Sequence, residues 1–168
     1  MGQRTQIVVR VVHSHNYDKT VSVHTTSYHN QWGFSKIQLK DAIRMLTHYS
    51  QDYEKYELPK RLAKAYAMTC DEWCEDLTPE GVKEYLNKTD NNDGGLFLDL
   101  IAEDHEIVGG KLYLYSDPEA TKHATEKVEG PISLSTYIRA YPQYYDKDFY
   151  AMFISMCKYY NVEIVNPN

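Results

Sequence analysis

Only three cysteines occur in this chain of 168 residues, an odd number that does not fit a closed disulfide framework. Cys70 and Cys74 are one residue too far apart for the Cys-x-x-Cys pair of a redox centre or zinc ribbon. Cys157 falls in an apolar helical stripe, so reduced thiols are expected. Long apolar runs are also missing. No stretch approaches the roughly 18 residues of a membrane span, and no apolar signal region opens the chain. Met1-Gly2 begins a myristoylation pattern that fails at Gln6, where Ser or Thr is needed. A cytosolic protein with no membrane partner is the expectation. There is no phosphate-cradling glycine loop and no Gly-x-Ser-x-Gly elbow, so nothing in the sequence demands an enzyme or a cofactor.

What is present suits one globular α+β domain spanning 1–168. Hydrophobic residues make up 42% of the chain, and a chain of this length can bury a real core. Tyrosine is in excess at 16 residues. Its apolar body and polar tip serve half-buried cores and interaction surfaces equally well, so the excess does not choose between them. Charge is more informative. The net charge is −6, but residues 1–70 hold 10 Lys/Arg against 5 Asp/Glu, residues 71–106 hold 2 against 12, and residues 107–168 hold 6 against 7. The middle segment therefore carries more negative charge than the whole protein.

Periodicity predicts the elements. In 4–13, Ile7, Val9 and Val11 share one strand face, with Gln6 and Arg10 on the other. A turn at "SHNYDK" leads into an alternating run with Val21 and Val23 on one face, which predicts a hairpin. From Lys36 the period becomes helical through Leu39, Ala42, Ile43, Leu46, Tyr49 and Tyr53. Pro59 suits the start of a second helix carrying Leu62, Ala65, Tyr66 and Thr69, and Thr78-Pro79 the start of a third. "LFLDLIA" and "KLYLYS" predict a second hairpin, with Leu96, Leu98 and Leu100 on one face and Leu112 and Leu114 alike. A short helix before Pro142, an amphipathic helix through Phe149, Met152, Phe153 and Met156, and an edge strand at "VEIV" complete the chain. The expected architecture is a mostly antiparallel sheet of two hairpins, with four to five helices packed mainly on one face. Val9, Val23, Phe149 and Phe153 are expected in its core.

Two stretches are candidate sites. "HNQWGFS" joins a strand to a helix. His29, Asn30, Gln31 and Trp32 form a polar corner able to line a small-molecule or nucleotide-signal pocket. In the ordinary reading Gly33 takes a positive φ, Ser35 caps the helix, and Trp32 and Phe34 fold onto the core. The second stretch is the acidic segment. Solvated faces normally mix both signs of charge, and a one-signed face repels itself unless it has a use. Asp71, Glu72, Trp73, Glu75, Asp76, Glu80, Glu84, Tyr85, Asp90 and Asp93 form a candidate partner-binding face. Duplex DNA carries one charge per roughly 1.7 Å of axis, and carboxylates on a helix pair approach that density. A plain solvated face is the alternative. His13 and His15 share a strand face without completing a metal site. Asp90 and Asn92 open a calcium-like loop that Gly94 and Ile101 interrupt, so a turn is the better account and no metal is expected.

"MGQRTQ" together with "HNQWGF", and "NNDGG" beyond them, resembles a group of small proteins encoded by phages and prophages of Gram-positive bacteria. The two leading motifs cover about a tenth of the chain. The resemblance implies a phage accessory protein and carries over no catalytic residue. Small acidic phage proteins often act by occupying a host protein, including CRISPR nucleases and other defence factors. The expectation is therefore a non-enzymatic inhibitor, of the anti-CRISPR or other anti-defence kind, working in the host cytoplasm. It would occupy a basic nucleic-acid-binding groove without binding nucleic acid itself. A small-molecule binder and a phage structural or assembly component are the other classes left open.

Overall fold

The computed structural model describes residues 5–30, 33, 35–47, 66–69, 77–88, 94–104, 106–116 and 127–167. The two expected hairpins are its scaffold. β1 (Thr5–Ser14) and β2 (Val21–Asn30) pair antiparallel from Thr5↔Asn30 to Ser14↔Val21. Their turn is closed by the Thr20 carbonyl, which accepts from His15 N at 2.9 Å, and by the Asp18 carboxylate, which accepts from Thr20 N and Oγ1.

β3 (Tyr66–Thr69) lies on the outer edge of β2. β4 (Gly95–Glu103) and β5 (Glu106–Ser116) form the second hairpin, and β6 (Glu129–Ile132) and β7 (Val162–Ile164) both pair with β5. The strand order is β3-β2-β1-β4-β5-β6, with β7 on β5 beside that path.

The sheet is mostly antiparallel, as expected, but it is mixed, with two parallel joints that two hairpins alone do not predict. Four pairings are antiparallel, but β1 runs parallel to β4, and β5 parallel to β7. The physical reason lies in the long connection between β2 and β4. It contains helices, so it can return the chain to the end of the sheet where β1 began. The central strands then need apolar residues on both faces, which is why β1 and β4 read as nearly continuous apolar runs.

Four helices are present among the described residues: α1 (Lys36–Thr47), α2 (Pro79–Lys88), α3 (Leu134–Ala140) and α4 (Lys147–Tyr159). A 3-10 turn at Pro142–Tyr144 lies between α3 and α4. α1, α3 and α4 cover the face bearing Ile7, Val11, Leu98, Leu100, Leu112 and Leu114. Of the described helices, α2 alone packs on the opposite face, where Val82 and Leu86 meet Val8, Phe97 and Tyr115. The described helices are thus on both faces, three to one.

Three local expectations change. The helix expected after Pro59 is not what Tyr66–Thr69 adopts. Those residues are β3, because the edge of β2 offers unpaired backbone groups that outweigh a short helical period; the rest of that helix, like Tyr49 and Tyr53, lies outside the described residues. In α4, Phe149 and Phe153 are buried as expected, but Tyr150 and Cys157 complete the seam while Met152 is 43% exposed. The side chains at 149, 153 and 157 form one i, i+4 line, and Tyr150 brings a larger ring to it. Val9 and Val23 are half-buried, and Val23 belongs to a part of the sheet that no described helix covers.

Candidate functional site

α2 forms because Thr78 caps it, its Oγ1 accepting from Gly81 N at 3.1 Å, and because Pro79 needs no amide partner at the first helical position. With Val82 and Leu86 turned inward, Glu80 and Glu84 stand exposed one turn apart. Lys83 lies between them, with Nζ 3.7 Å from Glu80 and 3.9 Å from Glu129. Tyr85 is less free than a contact residue would be. It is half-buried and donates its hydroxyl to Ser27 Oγ at 2.9 Å. Asp71, Glu72, Trp73, Glu75, Asp76, Asp90 and Asp93 lie outside the described residues.

The remaining acids of the segment are not on α2. Asp99 sits in the sheet, 3.7 Å from Arg10 Nε, and burial raises its carboxyl above the ordinary range while Arg10 and Lys111 work against the rise. Glu103 and Glu106 are exposed at the β4–β5 end. The Asp104 carboxylate there accepts from Asn16 N at 3.0 Å and Asn16 Nδ2 at 2.8 Å. Part of the negative charge is thus balanced inside the molecule, and part is displayed.

At the corner, His29 pairs across the sheet with Gln6 and Tyr66, and Asn30 pairs with Thr5; Gln31 and Trp32 lie outside the described residues. The neighbouring polar groups are engaged with one another. Thr5 Oγ1 donates to the Gly33 carbonyl at 2.6 Å, and Gln38 Nε2 to the Gln6 carbonyl at 3.0 Å. Tyr137 Oη reaches the Ser35 carbonyl at 3.2 Å and Gln38 Oε1 at 3.0 Å. Ser35 has φ 54° and is buried; its carbonyl, rather than its hydroxyl, receives the first amides of α1. Burial pushes the Tyr137 phenol well up, so it stays a neutral donor here.

Cys157 is buried, and desolvation pushes its thiol up to about 12, which removes it as a nucleophile at neutral pH. His13 stacks on His15 with ring centroids 4.2 Å apart, and its Nε2 meets the Asp104 carbonyl. No group of three His, Cys, Asp or Glu side chains among the described residues is placed to hold a metal ion. Ile101, the last position of the suspected calcium loop, is in β4 opposite Val12.

The sequence did not reveal a groove of about 810 Å³ on the face that α2 half covers. Its floor is a charged row running across four strands: Arg10 on β1, Asp99 on β4, Lys111 on β5 and Glu163 on β7. Gly110 closes the floor, because a Cβ there at φ 151° would meet the Asp99 carbonyl. An irregular register between β4 and β5 brings Val108 to the rim, where its carbonyl accepts from Asn161 Nδ2 at 3.2 Å. The available signal was a single charge inside each of four otherwise apolar strands. Register, which sequence does not give, is what aligns the four. Comparisons of the chain with protein-family models, with curated proteins and with solved structures find no match.

Proposed function

We propose that this protein acts without catalysis, by docking an acidic face onto the basic nucleic-acid-binding surface of a host protein. A defence factor such as a CRISPR effector is the leading instance, as the resemblance to phage and prophage proteins implies. The observation that supports this is the segregation of charge: residues 71–106 hold 12 acids against 2 bases. The one helix described in that stretch anchors an apolar face and displays Glu80 and Glu84 outward. Steering comes from the long-range field and specificity from aromatic contacts. The protein competes with nucleic acid for the partner and does not bind nucleic acid itself.

The test is capture from nuclease-treated host lysate by wild type and by a Glu72→Lys/Glu75→Lys/Asp76→Lys variant, at about 50 and 200 mM salt. Exposed charges are screened over about 10 Å at 0.1 M. Wild type should retain a nucleic-acid-handling protein at low salt, lose it at high salt, and release it when duplex DNA or RNA is added. The variant should retain none. Equal capture by both proteins at both salt concentrations would reduce the acidic segment to a solvated face.

A further inference from the structure

α2 covers the sheet only as far as Arg10, whose Nη1 donates to the Leu77 carbonyl just before that helix, at 3.1 Å. Beyond that line the same face is uncovered by any described helix. It presents the row Arg10, Asp99, Lys111, Glu163, in which positive and negative charges alternate from strand to strand. The next row outward is apolar: Val23, Val12 and Ile101, the last 49% exposed. Cross-strand pairing within the sheet accounts for the charges alone. It does not account for an apolar row beside them that no described helix covers and in which Ile101 is exposed.

We propose that this groove binds one amphipathic α-helix of a partner protein, bearing acid, base, acid and base at positions i, i+3, i+7 and i+10. Strands lie about 4.8 Å apart, so the row from Arg10 to Glu163 spans about 14 Å over three steps. Ten residues of helix rise about 15 Å, and the two repeats stay in step. A strand laid along the row repeats its facing side chains every 6.6 Å or so and falls out of step. A second copy of this sheet face cannot close down on the row. α2 stands one helix diameter, roughly 10–12 Å, above the floor and would meet the opposing sheet first.

Charge order also sets direction. Acids are favoured toward a helix N-terminus and bases toward its C-terminus. The N-terminal acid therefore belongs over Arg10, and the C-terminal base over Glu163. Lys158, which lines the groove at that end, then faces the last carbonyls of the helix. Apolar residues on one flank of the helix rest on Val12 and Ile101.

This surface is separate from the acidic face, so each proposal fails or stands by itself. The probe is a hydrocarbon-stapled 14-residue helix with glutamate at its second and ninth positions, lysine at its fifth and twelfth, and leucine on one flank. Its counterpart has all four charges reversed. Binding is read by fluorescence anisotropy and mapped by amide chemical shifts. The first peptide should bind at least tenfold more tightly than the reversed one, with shifts along β1, β4 and β5. In a Lys111→Glu/Glu163→Lys variant, which keeps the cross-strand pair, preference should pass to a peptide ordered Glu, Lys, Lys, Glu. Equal binding of all peptides, no binding, shifts elsewhere, or a concentration-dependent dimer that the double variant abolishes would each overturn the proposal.

Discussion

Cys157 and His13 are chemically capable side chains that the fold makes unreactive, and each gives a measurable consequence. Cys157 is buried against the sheet with its thiol pushed up to about 12, so almost none is thiolate at pH 8. Iodoacetamide followed by peptide mass mapping should modify it in urea and leave it unmodified in buffer over the same time. Labelling at equal rates in both would show that α4 opens readily. His13 is 1% exposed, and its pKa is lowered below 6.5, first by burial and then by His15 and His24, while Asp104 opposes. With the folded value below the unfolded one, the unfolded chain binds more protons as pH falls. Stability from this residue is therefore present above pH 6.5 and lost as pH falls toward the folded value. The urea midpoint should drop between about pH 7.5 and 5, and the drop should shrink in His13→Gln, which keeps a donor for the Asp104 carbonyl. An unchanged drop in the variant would move the pH sensitivity elsewhere.

At the scale of elements, the corner between β2 and α1 illustrates what the sequence could and could not say. The handover from period 2 to period 3.6 placed the junction at Ser35–Lys36, where α1 begins. The residues that hold it were out of reach. Thr5, Gln6 and Tyr137 come from distant parts of the chain, and only tertiary contact makes them partners of Gly33, Ser35 and Gln38. Both hairpins were legible, because alternation and turn chemistry are local. The parallel joint of β1 to β4 was not, because no local pattern records which strands become neighbours. The α4 seam was placed on the correct helix but rotated, since Tyr150 and Met152 differ in what they can reach rather than in hydrophobic period. Tyr137 gives a direct check of the corner. Replacing it by Phe takes the phenol donor from the buried Gln38 amide oxygen, while the Ser35 carbonyl keeps the Gln38 and Leu39 amides, at a cost of about 1–3 kcal/mol. A Tyr137→Phe midpoint equal to wild type would remove the hydrogen-bonded corner from the account of stability.

Taken whole, the segment 71–106 displays the exposed acids among its described residues in two places, and that division makes the docking proposal more demanding than net charge alone. Glu80 and Glu84 are displayed by α2, which packs over the Gly95 end of β4 through Leu86; Glu103 and Glu106 lie at the opposite end of the β4–β5 hairpin. Eight residues of strand separate Gly95 from Glu103, about 26 Å at 3.3 Å per residue. Glu80→Gln/Glu84→Gln and Glu103→Gln/Glu106→Gln remove the same total charge, so they separate a local docking face from a general repulsion or attraction. If the α2 face docks, the first pair should slow association with the captured partner several-fold and flatten its salt dependence, leaving dissociation little changed. The second pair should leave the association rate near that of wild type. Thermal midpoints of both variants should stay close to wild type, because all four side chains are exposed. The measurement is stopped-flow association at about 50 and 200 mM salt. Equal slowing by the two pairs would mean that only the overall field matters, and the docking surface would then have to be sought away from α2.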